Sequence, residues 1–118
     1  MRMRMFKKQF ASMVKNGSKR QTIRATPKRM PKAGDLESWR QWSGKPYYSK
    51  TIELAQVKLT IVEFIIISKD WTMVNDWVLT HDMESTLAKA DGFKSVLHFR
   101  AFFVTNGVPF EGILIKAK

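Results

Sequence analysis

The chain has no cysteine, so it can form neither a disulfide framework nor a thiolate metal site, and a cytoplasmic setting is the simplest expectation. Histidine is scarce too. His81 and His98 share no motif, so no His-rich metal centre is expected. Long apolar runs are missing: the longest uncharged one, Phe64–Ile67, falls far short of the ~20 residues a membrane-spanning helix needs. The Met/Arg alternation of Met1 to Met5 also lacks the continuous apolar core of a signal peptide. A soluble protein without membrane association is expected. Acidic residues are absent from residues 1–34, which carry eleven Lys or Arg, while residues 35–118 carry ten basic and ten acidic side chains. The net charge of +11 therefore arises in the first third, and a polyanion is the natural partner of such a surface.

What is present suits one domain spanning residues 1–118. Its 44% apolar content can bury about two-thirds of the unfolded surface without staples. No internal repeat, low-complexity segment or linker divides it. Residues 1–5 alternate with period two, which predicts a strand with one buried face. Phe6, Phe10, Met13 and Val14 recur at helical spacing opposite Lys7, Lys8, Ser12 and Lys15, and Gly17 stands where a C-terminal cap belongs. Residues 20–25 read as a second strand. A loop marked by Pro27 and Pro31 then ends at a Gly34-Asp35 turn before Leu36–Trp42. From Tyr47 to Ser68 the chain is rich in β-branched and aromatic residues without Gly or Pro, enough for one bent strand or two that exchange around a corner. Residues 70–81 suggest a hairpin or irregular extended segment. Glu84–Ala90 and Ser95–Val104 have helical spacing around a tight Asp91-Gly92-Phe93 turn, and Pro109–Lys116 closes the chain as a strand. Strands outnumber helices without segregation, which predicts an α+β fold, a small mixed β-barrel with short helices packed on its rim.

The ordered set formed by the helix Phe6–Asn16 ending in Gly17, the Lys19…Thr22-Ile23-Arg24 strand, the Gly34-Asp35 turn, the Ala88-Lys89-Ala90-Asp91-Gly92-Phe93 turn and the closing Pro109–Ile115 strand resembles the ASCH domain. That family is a small β-barrel related to the PUA RNA-binding fold. Residues 39–50 and 69–82 lie outside the resemblance. It implies a PUA-like barrel with an RNA-related function. Some members are amidohydrolases acting on N4-acetylcytidine, and others are metal-dependent ribonucleases. In the small amidohydrolases a lysine, a threonine and a glutamate form the site. By position these fall on Lys19, Thr22 and Asp91, the last an aspartate in place of the usual glutamate. It is one methylene shorter, and a displacement of ~1 Å can cost ~100-fold in rate. No cofactor is implied for that reaction; a divalent metal enters only with the ribonuclease alternative.

On a regular strand Lys19 and Thr22 point to opposite faces, so they converge only if Lys19 lies in the turn leaving the helix. A threonine hydroxyl needs a base to become a nucleophile, and a lysine serves only when its pKa falls well below about 10.4. Burial and the cations Arg20 and Arg24 would push it that way. An acid at Asp91 could shuttle the proton to the departing amine, but its charge opposes the depression of the lysine pKa, so Asp91 helps only if it is protonated or held apart from Lys19. The bland alternative is a solvated lysine-rich turn and a threonine that merely packs. Arg24 could contact a phosphate or base, or pair with Asp35 to pin the loop.

Lys7, Lys8, Lys15, Lys28, Arg29 and Lys32 could track a phosphate backbone. Trp39-Arg40-Gln41-Trp42 and Tyr47-Tyr48 place planar groups beside those charges, as stacking on unpaired bases would require. Alternatively Trp39 or Trp42 fills the barrel. Trp71 and Trp77 read as packing residues and Phe99, Phe102 and Phe103 as core. The dipeptide His81-Asp82 lacks the further ligands of a metal phosphohydrolase, and the Lys7–Lys15 helix offers few groups for DNA base edges. The expected partner is RNA or a modified nucleoside, held between the Lys19–Arg24 segment and the Asp91 turn. The possible functions are an amidohydrolase, a ribonuclease or a non-catalytic RNA-binding module. No specific protein partner is inferable, although an acidic protein could engage the basic region.

Overall fold

The computed structural model describes residues 1–118. Strand β1 (Arg2–Met5) leads into helix α1 (Lys8–Asn16), whose buried Phe10 and Val14 are one turn apart, and Gly17 caps it with its N–H donating to the Val14 carbonyl. Strand β2 (Gln21–Ala25) and, after the proline-marked loop, β3 (Leu36–Trp42) follow. The long strand β4 (Thr51–Ile67) runs into the short hairpin β5 (Thr72–Val74) and β6 (Trp77–Val78). Helix α2 (His81–Ala90) begins at Thr80, whose hydroxyl accepts from the Met83 N–H; helix α3 (Val96–Phe103) begins at Ser95, whose hydroxyl accepts from the His98 N–H. Strand β7 (Phe110–Ala117) ends the chain. No helix is long and apolar enough to cross a membrane.

The seven strands form one mixed sheet organised by β4. Its first part pairs antiparallel with β3 up to Lys58, and from Leu59 onward it pairs with β7, while Ile65–Ile67 also take β5. Two extra residues on β4 allow this exchange. Leu54 has no partner opposite the Trp39–Arg40 step, and Thr60 has none opposite Lys116–Ala117, so the strand bends twice. Of the two readings of Tyr47–Ser68, the single bent strand holds, and it begins at Thr51 because the chain turns before it, the Tyr48 N–H donating to the Lys45 carbonyl. Strand β1 adds parallel to β3, and β2 adds antiparallel to β7.

The sheet is α+β in class, but it does not close into the expected barrel. No backbone ladder joins β1 to β2. Instead the Arg24 guanidinium of β2 reaches across and donates to the Met5 carbonyl at 2.8 Å, with its central carbon 4.7 Å from the Phe6 ring centre. Two bulky side chains occupy the space that strand pairing would need, and this seam becomes the mouth of a cavity.

Bending lets the sheet carry two apolar clusters. In the first, Phe6, Phe10 and Val14 pack on Trp39, Val57, Leu59, Ile113 and Ile115; in the second, Leu87, Ala88 and Phe99 pack on Ile23, Ile65, Ile67 and Leu114. Successive β7 side chains therefore alternate between clusters, as strand geometry requires. Phe93 touches both.

One open point about the side chains is decided and three expectations are corrected. The alternation in β1 holds, but its buried face is the arginine one: Arg4 is buried and Met1 and Met3 are exposed, because the Arg4 guanidinium forms a two-pronged ion pair with buried Glu37, 2.9 Å at Nη2–Oε2. Trp39 is wholly buried and donates its indole N–H to Glu37 at 3.1 Å, so it cannot stack on a base. Trp77 is 77% exposed and does not pack, because the two-residue β6 carries it on an outer edge. Phe102 is 41% exposed instead of lying in the core beside Phe99, and the Lys7 ammonium sits 4.7 Å above its ring.

Candidate functional site

The seam between β1 and β2 opens into a cavity of about 350 Å³ walled by aromatic rings from α1, α3 and β7, among them Phe10, Phe102 and Phe110, with Lys19, Thr22, Arg24 and Asp91 as its polar groups. Three separate segments supply those groups. Lys19 lies in the turn between α1 and β2, held by its own N–H donating to the Met13 carbonyl at 3.0 Å. Thr22 and Arg24 share one face of β2, two residues apart. Asp91 ends α2, where its N–H donates to the Leu87 carbonyl at 3.1 Å. Because Lys19 precedes the strand, it is free of the strand's alternation and meets Thr22 at the same cavity.

Gly92 explains how the Asp91 turn comes so close. Its φ is +97°, and a Cβ there would stand 3.0 Å from Met13 Sδ and from Phe10 Cδ1. Only glycine lets the end of α2 lie against α1 in this conformation.

Lys19 and Asp91 form a buried ion pair, with side chains 3% and 4% exposed and Nζ–Oδ1 at 3.2 Å. The Lys19 ammonium also donates to the Asp91 carbonyl at 2.6 Å and lies 4.8 Å from the Phe10 ring centre. Gln21 completes the arrangement, its side-chain amide donating to Asp91 Oδ1 at 3.2 Å and to the Leu87 carbonyl at 3.1 Å. Burial lowers the Lys19 pKa and raises that of Asp91, each against the opposing pull of the partner's charge. The two shifts bring the neutral amine and carboxylic acid forms nearer in free energy, and a neutral lysine is a base. Asp91 is therefore paired with Lys19 rather than held apart from it, and burial opposes its effect on the amine.

Thr22 Oγ1 accepts a hydrogen bond from Arg24 Nε at 2.9 Å, which leaves the hydroxyl proton free for another acceptor. Arg24 does not pair with Asp35, whose carboxylate instead accepts from the Lys32 N–H at 2.9 Å. Burial first, then the charge of Arg4, lowers the Arg24 pKa to about 10, so it remains cationic at neutral pH. A cation fixed beside the threonine oxygen favours any negative charge that develops there.

The other candidates separate into three groups. Arg20 turns back on α1 and donates to the Val14 carbonyl at 2.6 Å, a helix-capping role away from the cavity. Lys7 lines the cavity rim; Lys8 lies beside it on an adjoining groove with Trp42. Lys15, Lys28 and Arg29 are exposed and line neither. Gln21 and the phenylalanine walls were not legible as site residues. The only signal for Gln21 is its two-residue spacing from Lys19, which is common to any strand. No three His, Asp or Glu side chains gather as a cation site.

A separate cavity of about 570 Å³ lies between α2 and the β5–β6 hairpin, with Trp77 and Asp82 on its walls. Its acids, Glu63 and Asp82, distinguish it from the basic seam. Compared with protein-family models, curated proteins and solved structures, the chain matches none.

Proposed function

We propose that the chain is an ASCH-type domain that binds RNA or a modified nucleoside in the seam cavity, and that the cavity is equipped to remove the acyl group of N4-acetylcytidine. The supporting observation is the convergence of Lys19, Thr22 and Asp91, drawn from three segments of the chain, on one aromatic-walled space beside Arg24. Its volume lies near the lower end of small-molecule pockets, ~300 Å³ and upward, which suits a single nucleoside but not a duplex. Planar walls favour a base, and the basic surroundings favour the phosphates of an RNA chain that carries it.

In the proposed reaction Thr22 Oγ attacks the acetyl carbonyl carbon, and its proton passes to Lys19 in the amine form. Lys19 must turn from Asp91 towards Thr22 for this, a rotamer change inside the cavity. Arg24 balances the charge on the tetrahedral intermediate. Collapse breaks the bond to N4, the proton goes from Lys19 to the departing amine, and cytidine leaves. Water then cleaves the acetyl-threonine ester to acetate.

The test is incubation of the protein, Thr22→Val and Lys19→Met with N4-acetylcytidine and with short single-stranded RNA, both followed by chromatography. Cytidine released by the parent protein and by neither variant is the expected result. Cleavage of RNA instead would move the assignment to the metal-dependent ribonuclease, and an unchanged substrate that still binds would leave a non-catalytic binding module.

A further inference from the structure

Beside the nucleoside cavity runs a second concavity of about 460 Å³, and the two share Met5, Phe6 and Lys7 as a common wall. The far side of this groove is built from Trp42 at the end of β3 and Tyr47 in the turn before β4, whose ring centres are 5.1 Å apart. Two features of this wall ask for an explanation. Tyr47 is 86% exposed, so packing does not account for its ring, and its φ of +65° is a left-handed conformation that a bulky side chain adopts at a cost. The rim is also of one sign: Lys7 and Lys8 are exposed on it, and no acidic residue lines the groove.

We infer that this groove is a second nucleotide subsite, so that the ligand of the seam cavity is one unit of a single-stranded RNA and the adjacent unpaired base stacks in the Trp42–Tyr47 groove. This rests on the nucleoside assignment of the cavity. Three observations support the occupant. A neighbouring base must lie close to the first, and the two spaces have a wall in common. An exposed aromatic pair offers π-faces that any base can cover. The phosphate linking the two units would pass over the shared wall, where Lys7 projects from the rim of both spaces and Lys8 flanks the second. A protein acid cluster would find the lysines but would leave the aromatic wall unused.

The experiment compares equilibrium binding of N4-acetylcytidine and of a five-nucleotide single-stranded RNA carrying one N4-acetylcytidine, for the parent protein, Trp42→Ala and Tyr47→Gly, each carrying Thr22→Val so that the ligand stays intact. Tyr47→Gly removes the ring and suits the positive φ, so loss of folding does not obscure it. The expected result is that the oligonucleotide binds the parent protein more tightly than the nucleoside does. Each variant should then lose about tenfold in oligonucleotide affinity, as lost stacking on one base implies, with nucleoside affinity unchanged. Nucleoside binding without any oligonucleotide advantage, or an advantage that both variants keep, overturns the subsite and leaves the cavity assignment standing. If neither ligand binds the parent protein, the cavity assignment fails and the subsite with it.

Discussion

Replacing Lys19 with methionine separates the cost of the buried charge from the shape of the side chain. The substitution leaves the Asp91 carboxylate 4% exposed with Gln21 as its side-chain partner and takes the 2.6 Å donor from the Asp91 carbonyl. Breaking a buried pair from one side costs about 3–5 kcal/mol. Part of this is avoided where Asp91 can take a proton. Its pKa is already raised by burial above the ordinary 3.8, and loss of the Lys19 charge raises it further. The folded variant therefore holds a proton that the unfolded chain has released, and its stability falls as pH climbs from 3.8 through the raised folded pKa. Urea unfolding followed by circular dichroism should show Lys19→Met losing about 3 kcal/mol relative to the parent protein at pH 8 and clearly less at pH 4.5. Adding Asp91→Asn removes the stranded charge while keeping an oxygen for Gln21. The double variant should return to within about 1–2 kcal/mol of the parent protein, since replacing both ions is often neutral or better. A single variant as stable as the parent at pH 8, or a double variant no better than the single, would refute a buried, mutually dependent pair.

Three more outcomes can be checked independently. In Gly112→Ala the new Cβ would stand 2.2 Å from the Arg24 carbonyl, forcing β2 from β7, so a loss of about 2–3 kcal/mol in urea unfolding is expected. Burial pushes Glu84 upward, but hydrogen bonds from Arg100 and Thr72 outweigh it and hold its carboxyl below the usual 4.5; the stability this gives is present above 4.5 and lost as pH falls through the lowered value. Arg100→Gln should therefore cost about 2 kcal/mol at pH 7 and far less at pH 3. Lys7→Ala and Lys8→Ala should each flatten the dependence of log affinity for single-stranded RNA on log salt by about 0.7, the loss of one phosphate contact.

Much of the element order was legible because its signals are local: helical spacing in Phe6–Val14, the Gly17 cap, turn residues at Asp91-Gly92, and β-branched density before Ser68. Lys19 reached the cavity beside Thr22 because Gly17-Ser18 places it before the strand, which its sequence position already suggested. Long-range pairing was less visible. The sequence of β1 states an alternation but not which face is buried, and only the partner Glu37, thirty-three residues away, decides for the arginines. Trp39 and Trp42 stand three residues apart in one aromatic-basic cluster, yet one is sealed in the first apolar cluster and the other lies on a groove. The open seam has a similar origin. Whether two edges pair depends on what fills the space between them, and the Arg24 guanidinium over Phe6 has no signature in local spacing.

The central claim is that the seam between β1 and β2 receives a modified nucleoside. Titration of N4-acetylcytidine into isotope-labelled Thr22→Val protein, followed by nuclear magnetic resonance, addresses it directly because the ligand stays intact. Saturating shifts confined to Phe6, Phe10, Arg24, Asp91 and Phe102 are the expected result. Shifts centred on Trp77 and Met83 at the other cavity, or none at millimolar ligand, would contradict the claim.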